Sequence, residues 1–318
     1  MSADWRPRAT LPVLRERARL LARIRAFFDE RGLWEAQTQI LDDGATTDPH
    51  IQSLSTRVRG PDGVRTRYLH TSPEFQMKRL LAAGSGPIYQ IATVFRDEEA
   101  GARHLPEFTL LEWYRPGWDH HRLMDEVDEF LQVVAGAPPA RRCTYARAFQ
   151  EHVGVDPHCA TDAALREAAA RHCGDVPAAL ARDELLDLLM GVAIEPRLGR
   201  DAPLLVYDYP ASQAALARIR PGAVPVAERF ELYWRGLELA NGFHELTDAD
   251  EQERRFLEDR RRRRAVGLPD VPHDQRLVEA LRAGLPPCSG VALGVDRLLM
   301  ICLDLADIAE TVAFPQRD

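Results

Sequence analysis

The chain is nearly without lysine: of its 41 basic residues only Lys78 is a lysine, and the rest are arginines. No Gly-Lys-Ser/Thr can occur, which excludes a P-loop, and Lys78-Arg79-Leu80 is not the Lys-x-Asp-Gly of enzymes that carry AMP on a lysine. Any nucleotide site has to be built from arginines. Cysteine is scarce too. The 5 cysteines, Cys143, Cys159, Cys173, Cys288 and Cys302, are odd in number and never spaced Cys-x-x-Cys, so neither a disulfide framework nor a zinc site is indicated. They read as buried or incidental thiols. Excess positive charge is missing as well, because the formal charge is -8 and the pI is near 5.7. That balance carries no electrostatic footprint for nucleic acid and makes tRNA an unlikely partner. No run of about 18 apolar residues and no N-terminal apolar segment occurs, which indicates a soluble, cytoplasmic chain with neither membrane span nor signal peptide.

What is present is a chain of 318 residues, 45% hydrophobic, enough to bury one large core or one core with a modest insertion. Leu20, Ile24, Phe27 and Phe28 recur at helical spacing within residues 13 to 31, and Gly32 is a stop signal, so an amphipathic helix is expected there. Extended stretches are expected at roughly 33 to 41 and 65 to 71. Ile88 to Phe95 and Glu107 to Tyr114, rich in β-branched and aromatic residues, predict two antiparallel strands joined by the charged segment 96–106. Between about 119 and 200 the texture turns Ala-rich and helical, for instance Asp162 to His172 and Arg182 to Met190, which reads as a helical insertion. A strand at Leu204 to Tyr209, a hairpin over Arg229 to Gly242, a charged helix over Asp250 to Ala265 and a strand-to-helix segment over Gly290 to Leu303 complete the reading.

Chemistry concentrates in three places. The first is Phe95-Arg96-Asp97-Glu98, His104-Leu105-Pro106-Glu107-Phe108 and Leu111-Glu112-Trp113-Tyr114. The two-residue period of a strand puts Phe108, Leu110, Glu112 and Tyr114 on one face, presenting a stacking ring, a carboxylate and a phenol together. The second runs from Arg229 through Glu231, Tyr233, Glu238 and Asn241 to Glu245. If Arg235-Gly236 is a two-residue turn, Trp234 lies opposite Leu237 and Tyr233 opposite Glu238, so Glu231 shares a face with Glu238. Carboxylates diagonal on one hairpin face, about 7 to 8 Å apart at Cα, repel one another unless a cation such as Mg²⁺ lies between them. Asn241-Gly242 is expected to break the strand and free Glu245 to point elsewhere. The third is Gly290-Val291-Ala292-Leu293-Gly294-Val295-Asp296-Arg297, where glycines admit a flat ligand and an arginine near a helix start can stack on a base or meet a phosphate.

Together these segments resemble motifs 2 and 3 of class II aminoacyl-tRNA synthetases, in the version of lysyl-tRNA synthetases, as do Thr71-Ser72-Pro73-Glu74 and Glu245-Leu246-Thr247-Asp248. The chain starts about a dozen residues before the helix leading into motif 1, so no anticodon-binding domain is expected ahead of it. That start, with Glu112-Trp113-Tyr114-Arg115-Pro116 and Cys288-Ser289-Gly290-Val291-Ala292-Leu293-Gly294, is similar to the PoxA/GenX family, which attaches (R)-β-lysine to a lysine of elongation factor P. The resemblance implies an α+β fold, a class II synthetase catalytic domain with a mainly antiparallel sheet flanked by helices and a helical insertion, occupying residues 1–318 as a single domain. It implies ATP and Mg²⁺ as cofactors, elongation factor P and β-lysine as partners, and a homodimer.

Residue by residue, the resemblance implies that Arg96, Asp97, Glu98, Leu105, Phe108, Glu238, Leu239, Gly294 and Arg297 bind ATP, Phe108 and Arg297 sandwiching the adenine. Arg96 and Arg297 would be the catalytic pair. Glu231 and Glu238 would hold Mg²⁺. Ser72, Pro73, Glu74, Glu112, Tyr114, Asn241 and Glu245 would form the amino-acid pocket, Tyr114 and Glu245 facing the side-chain ammonium. Ala292 stands where lysyl-tRNA synthetases carry glycine, and its methyl group would trim the pocket towards a β-amino acid. The chain departs from the pattern at Leu105, in place of an asparagine, at Gln39, in place of the motif 1 proline, and at Asp97, in place of an asparagine. The expected reaction is in-line attack of a carboxylate on the α-phosphorus of ATP, followed by transfer to an amine, with His104 and His244 ordering structure and not acting as bases. The competing readings are a lysyl-tRNA synthetase-like paralogue using L-lysine with another acceptor, and a non-catalytic amino-acid-binding regulator. The run Arg260 to Arg264 reads chiefly as a solvated helix face, with docking of an acidic protein partner as the alternative.

Overall fold

The computed structural model describes residues 5–97 and 101–316. The chain divides into two compact units, Met1–Gly117 with Leu246–Cys288 and Ala292–Asp318 in the first, and Trp118–Glu245 with Ser289–Val291 in the second.

The first unit opens with α1 (Leu11–Asp29), led in by Thr10 and a proline in its first turn, which needs no amide donor there. Leu20, Ile24, Phe27 and Phe28 are its buried face, as their spacing predicts, and Gly32 follows in a left-handed conformation. β1 (Trp34–Glu35), β2 (Leu41–Asp42), β3 (Ser55–Gly60) and β4 (Gly63–Leu69) come next. The stretch 33–41, expected to be extended throughout, pairs only at its ends, β1 running parallel to β5 and β2 antiparallel to β4. After α2 (Glu74–Ala82), β5 (Ile88–Phe95) and β6 (Glu107–Pro116) form the expected antiparallel pair, in register from Ile88 opposite Tyr114 to Phe95 opposite Glu107.

The second unit contains α3 (His120–Ala135), β7 (Arg141–Thr144), α4 (Tyr145–Val153), α5 (Asp162–Cys173) and α6 (Arg182–Leu188), the last continuing into a π-helical turn at Leu189–Ile194. Asp119, Thr144 and Thr161 cap α3, α4 and α5 through side-chain oxygens that accept backbone amide hydrogens. β7 was not foreseen from the sequence. It pairs in parallel with β8 (Leu204–Pro210), so the helical stretch carries a strand of its own. β9 (Ile219–Arg220), β10 (Val226–Trp234) and β11 (Leu237–His244) follow, β10 lying between β8 and β11. Phe149, Leu165, Leu185, Leu189, Ile194, Val206 and Tyr233 meet in one core that binds these helices to the strands.

The chain then returns to the first unit with α7 (Ala249–Ala265) and α8 (Gln275–Gly284). β12 (Cys288–Gly294) runs directly into α9 (Val295–Cys302), as the glycine-rich segment predicts. On α7, Asp248 accepts from the amides of Asp250 and Glu251 at 3.0 Å, and Arg262, Arg263 and Arg264 occupy the last turn, where cations oppose the helix dipole favourably. The arginine run is not one solvated face. Arg263 is 2% exposed and donates to the carbonyls of Pro269 and Asp48, both at 3.0 Å, and to Gln52 Oε1 at 2.7 Å. Arg260 forks onto Asp270 at 2.8 and 2.9 Å, and Arg264 reaches the same carboxylate at 3.1 Å.

Candidate active site

In the first unit the sequence-predicted residues gather on one face of β6 and at the start of α2. Glu112 is fully buried, at 2% exposure, because β6 is covered on this face. Its carboxylate accepts hydrogen bonds from Ser72 Oγ at 2.7 Å and from Tyr114 OH at 2.6 Å. Ser72 in turn accepts from the backbone amide of Glu74 at 3.0 Å, which fixes the entry into α2. Pro73 is the residue preceding that helix and Glu74 its first. Burial, and then the nearby charge of Glu74, pushes the Glu112 carboxyl up to about 7, against the opposing pull of Tyr114, Ser72 and Lys78. This end of β6 thus holds a desolvated, donor-lined carboxylate, the environment in which an ammonium group is worth most.

The other end of β6 bears the nucleotide candidates. Phe108 packs beside Val94, Leu110 and Ala292, and the Arg96 guanidinium carbon stands 5.1 Å from the centroid of its ring. Arg96, not open space, lies over that ring. Arg96 is further tied by its amide to the carbonyl of Pro106 at 2.9 Å, and Asp97 by its amide to the carbonyl of Gln52 at 2.9 Å. Leu105 is buried at 3% exposure, so only its backbone is open to polar partners. Glu98 lies outside the described residues. Arg297, in the first turn of α9, is oriented by His104 Nε2 at 2.6 Å and by the carbonyl of Arg103 at 3.3 Å. His104 therefore acts as an orienting group. Gly294 precedes α9, and a Cβ built there would meet only the Arg297 side chain, at 3.7 Å or more. Among the described residues nothing crowds this position to the point of demanding glycine.

In the second unit the hairpin β10–β11 has the predicted turn. Arg235 and Gly236 have φ of 54° and 73°, both positive as a type I′ turn requires, and Trp234 faces Leu237 and Tyr233 faces Glu238. Beyond that the register departs from the simple alternation. A β-bulge shifts the ladder between Leu232 and Tyr233, so Leu232 pairs with Ala240 and Glu231 with Asn241. Leu239 is the extra residue and is buried. The shift puts Asn241 on the same face as Glu231 and Glu238, which unbroken alternation would not do. The expected break at Asn241-Gly242 does not occur, since β11 continues to His244. Gly242 is required there because a Cβ would come within 2.4 Å of the Phe230 ring opposite.

Glu231 is 7% exposed and accepts hydrogen bonds from Tyr209 OH at 2.7 Å and from Tyr233 OH and Arg229. Burial, and then the Glu231 charge, holds both phenols well above their ordinary range, so they remain donors. Glu238 is partly exposed, and Glu245 is buried at 1% exposure beyond the end of β11.

Several participants escaped the sequence reading. Lys78, used above only to exclude nucleotide motifs, is buried and pairs with Glu74, a contact signalled by their i,i+4 spacing on α2. Asp296 accepts from Arg17 and, at 2.6 Å, from the backbone amide of Thr109, fastening α1, β6 and α9 to one another. Tyr209 and Arg229 hold Glu231. Arg229, Glu231 and Tyr233 alternate along β10 and could have been read as one face; Tyr209 carries no local signal.

The family model for class II tRNA synthetases (D, K and N) matches residues 2–318. Among curated proteins, the elongation factor P--(R)-beta-lysine ligase of Avibacterium paragallinarum is 51% identical over 313 residues, covering 98% of this chain and 97% of that protein. The protein of the same name from Salmonella heidelberg (strain SL476) is 50% identical over 320 residues, covering 98% of each.

Proposed function

Because the chain belongs to the class II tRNA synthetase family and, within it, to the group of elongation factor P--(R)-β-lysine ligases, we propose that it activates (R)-β-lysine with ATP and transfers it to elongation factor P. The substrate carboxylate attacks the α-phosphorus and expels pyrophosphate; a lysine ε-amino group of the acceptor then attacks the acyl carbon of the adenylate, forming the amide as the acyl–phosphate bond breaks and AMP and a proton leave. The observation that carries this reading is Glu112: a buried carboxylate held by Ser72 and Tyr114, on the strand that also bears Phe108. Burial disfavours the charged form of this carboxylate, and a cationic ligand placed beside it would repay that cost.

In this reading Ser72, Pro73, Glu74, Glu112, Tyr114, Asn241 and Glu245 receive the amino acid. Arg96 neutralises the α-phosphate, and Arg297, oriented by His104, stacks on the adenine from the side opposite Phe108. Stacking of adenine on Phe108 would require Arg96, whose guanidinium carbon stands 5.1 Å from that ring's centroid, to move aside. Asp97, Glu98, Leu105, Leu239 and Gly294 line the nucleotide, Gly294 through the space beside its Cα.

The donor set fits Mg²⁺. A carboxylate offers about four lone-pair sites; Tyr209, Tyr233 and Arg229 take three on Glu231, leaving one, while Glu238 is partly exposed. Bound Mg²⁺ would supply charge neutralisation for the pyrophosphate leaving group. The protein's own groups position the reactants and exclude water. A cytoplasmic homodimer belongs to the same proposal; among the described residues no helix is long and apolar enough to cross a membrane.

The test is ATP-pyrophosphate exchange with (R)-β-lysine, (S)-β-lysine, L-lysine or no amino acid, with and without Mg²⁺, followed by transfer to elongation factor P. Exchange strongest with (R)-β-lysine, dependent on Mg²⁺ and followed by acceptor modification, is expected. Preference for L-lysine, or no exchange with any of the three, refutes the proposal.

A further inference from the structure

His120 is out of place for a solvated histidine. It is the first residue of α3, it is 1% exposed, and neither ring nitrogen has a hydrogen-bond partner among the described residues. Burying an imidazole with both nitrogens unsatisfied is costly. Asp119, next to it in sequence, is already engaged in capping the helix through the amide of Arg122 at 2.8 Å. Besides the His121 ring, whose centroid is 4.2 Å from its own, His120 faces a second histidine and a carboxylate. His120, Glu228 and His244 each present a ligand atom, and the three atoms lie within 4.8 Å of one another. Glu228 comes from β10 and His244 ends β11, so three separate elements of the second unit converge on this point. His244 is already oriented by Glu228 Oε2, which lies 2.7 Å from its Nδ1.

We propose that His120, Glu228 and His244 form a binding site for a zinc-class divalent cation, which ties the first turn of α3 to the β10–β11 hairpin. Two imidazoles and one carboxylate select zinc over magnesium, because nitrogen donors suit the softer ion and magnesium demands oxygen. Ligand atoms about 2.1 Å from a tetrahedral centre are about 3.4 Å apart, so a cation would replace the hydrogen bond between His244 and Glu228, and side-chain rotations would close the site from its present spacing. The fourth position is left to water. Arg218 and Arg220 each place a guanidinium nitrogen 3.9 Å from Glu228, and Arg218 Nη1 lies 3.3 Å from His244 Nε2. These charges oppose any dication, so the affinity has to come from the imidazole bonds; Arg220 is in addition engaged by Asp208 at 2.8 Å. The site is distinct from the Glu231 and Glu238 pair and does not depend on the adenylation reading.

The experiment uses the full chain, stripped with chelator and then titrated calorimetrically with Zn²⁺ or Mg²⁺, with and without His120→Ala. One Zn²⁺ per chain, no matching Mg²⁺ event, and at least about 100-fold weaker zinc binding in His120→Ala are expected, while the exposed-site control His50→Ala binds as the parent does. Equal zinc affinity in His120→Ala and the parent, or no zinc binding by the parent, overturns the proposal. Should His120→Ala fail to fold, Co²⁺ absorption of the unsubstituted chain decides: tetrahedral d–d bands without thiolate charge transfer support the site, and octahedral or thiolate spectra reject it.

Discussion

At Glu112 the protein holds a carboxylate whose proton is lost only near neutrality, since burial and the neighbouring Glu74 both disfavour its charged form. Below about 7 the buried group is the neutral acid, and an ammonium group placed beside it must first displace its proton; above it the carboxylate is ready. The KM for the amino acid is expected to fall as pH rises from about 6 to 8, with an inflection near 7, and Glu112→Gln is expected to raise KM at least tenfold and flatten the profile. Steady-state pyrophosphate exchange across that range checks it, and a flat profile in the unsubstituted enzyme would remove Glu112 from ammonium recognition. Neighbouring residues show where reading single positions stops. Glu112, Tyr114 and Phe108 were legible as one face of a strand because alternation is local. Lys78 was visible as the one lysine, yet its burial against Glu74 depends on what covers α2.

The β10–β11 hairpin shows the same division among elements. Its turn is written in Arg235-Gly236, and both residues adopt the positive φ that a two-residue hairpin needs. The bulge at Leu239 is not written in any comparable signal, and it changes which side chains share a face: it brings Asn241 opposite Glu231. Gly242 was read as a strand breaker, but it serves packing, with the Phe230 ring occupying the volume a Cβ would need. Gly242→Ala is therefore expected to destabilise the chain by about 1 to 3 kcal/mol through overpacking, seen as a lower urea midpoint at unchanged slope. In a Phe230→Leu background the cost of the alanine should shrink; an equal cost in both backgrounds would show that the ring is not the obstacle. α7 offers a parallel case, because five consecutive arginines look equivalent in the sequence while Arg263 alone is folded inward onto Pro269, Asp48 and Gln52.

For the whole molecule, the acidic balance of -8 bears on acceptor choice. Binding to tRNA is carried mainly by phosphate neutralisation and weakens steeply with salt. At about 150 mM salt, filter retention of labelled tRNA is expected to show no binding at micromolar protein; salt-dependent binding tighter than about 1 μM would reopen the tRNA-charging alternative.

The sequence alone determined the nature of the elements and of the reaction: the helical period of α1, the paired strands flanking the charged segment 96–106, the turn at Arg235-Gly236, the strand-to-helix passage at Gly294, and the motif wording that identifies the family. These are local features, set by residues within a few positions of one another, and so they leave a mark in the order of residues. Only the tertiary structure decided which groups meet across long stretches of chain: Arg17 with Asp296, Tyr209 with Glu231, Arg263 with Gln52, and His120 with Glu228 and His244. Such contacts arise when distant segments pack to bury their apolar faces, and a polar group swept into that packing takes whatever partner the fold supplies. No spacing in the sequence records that choice.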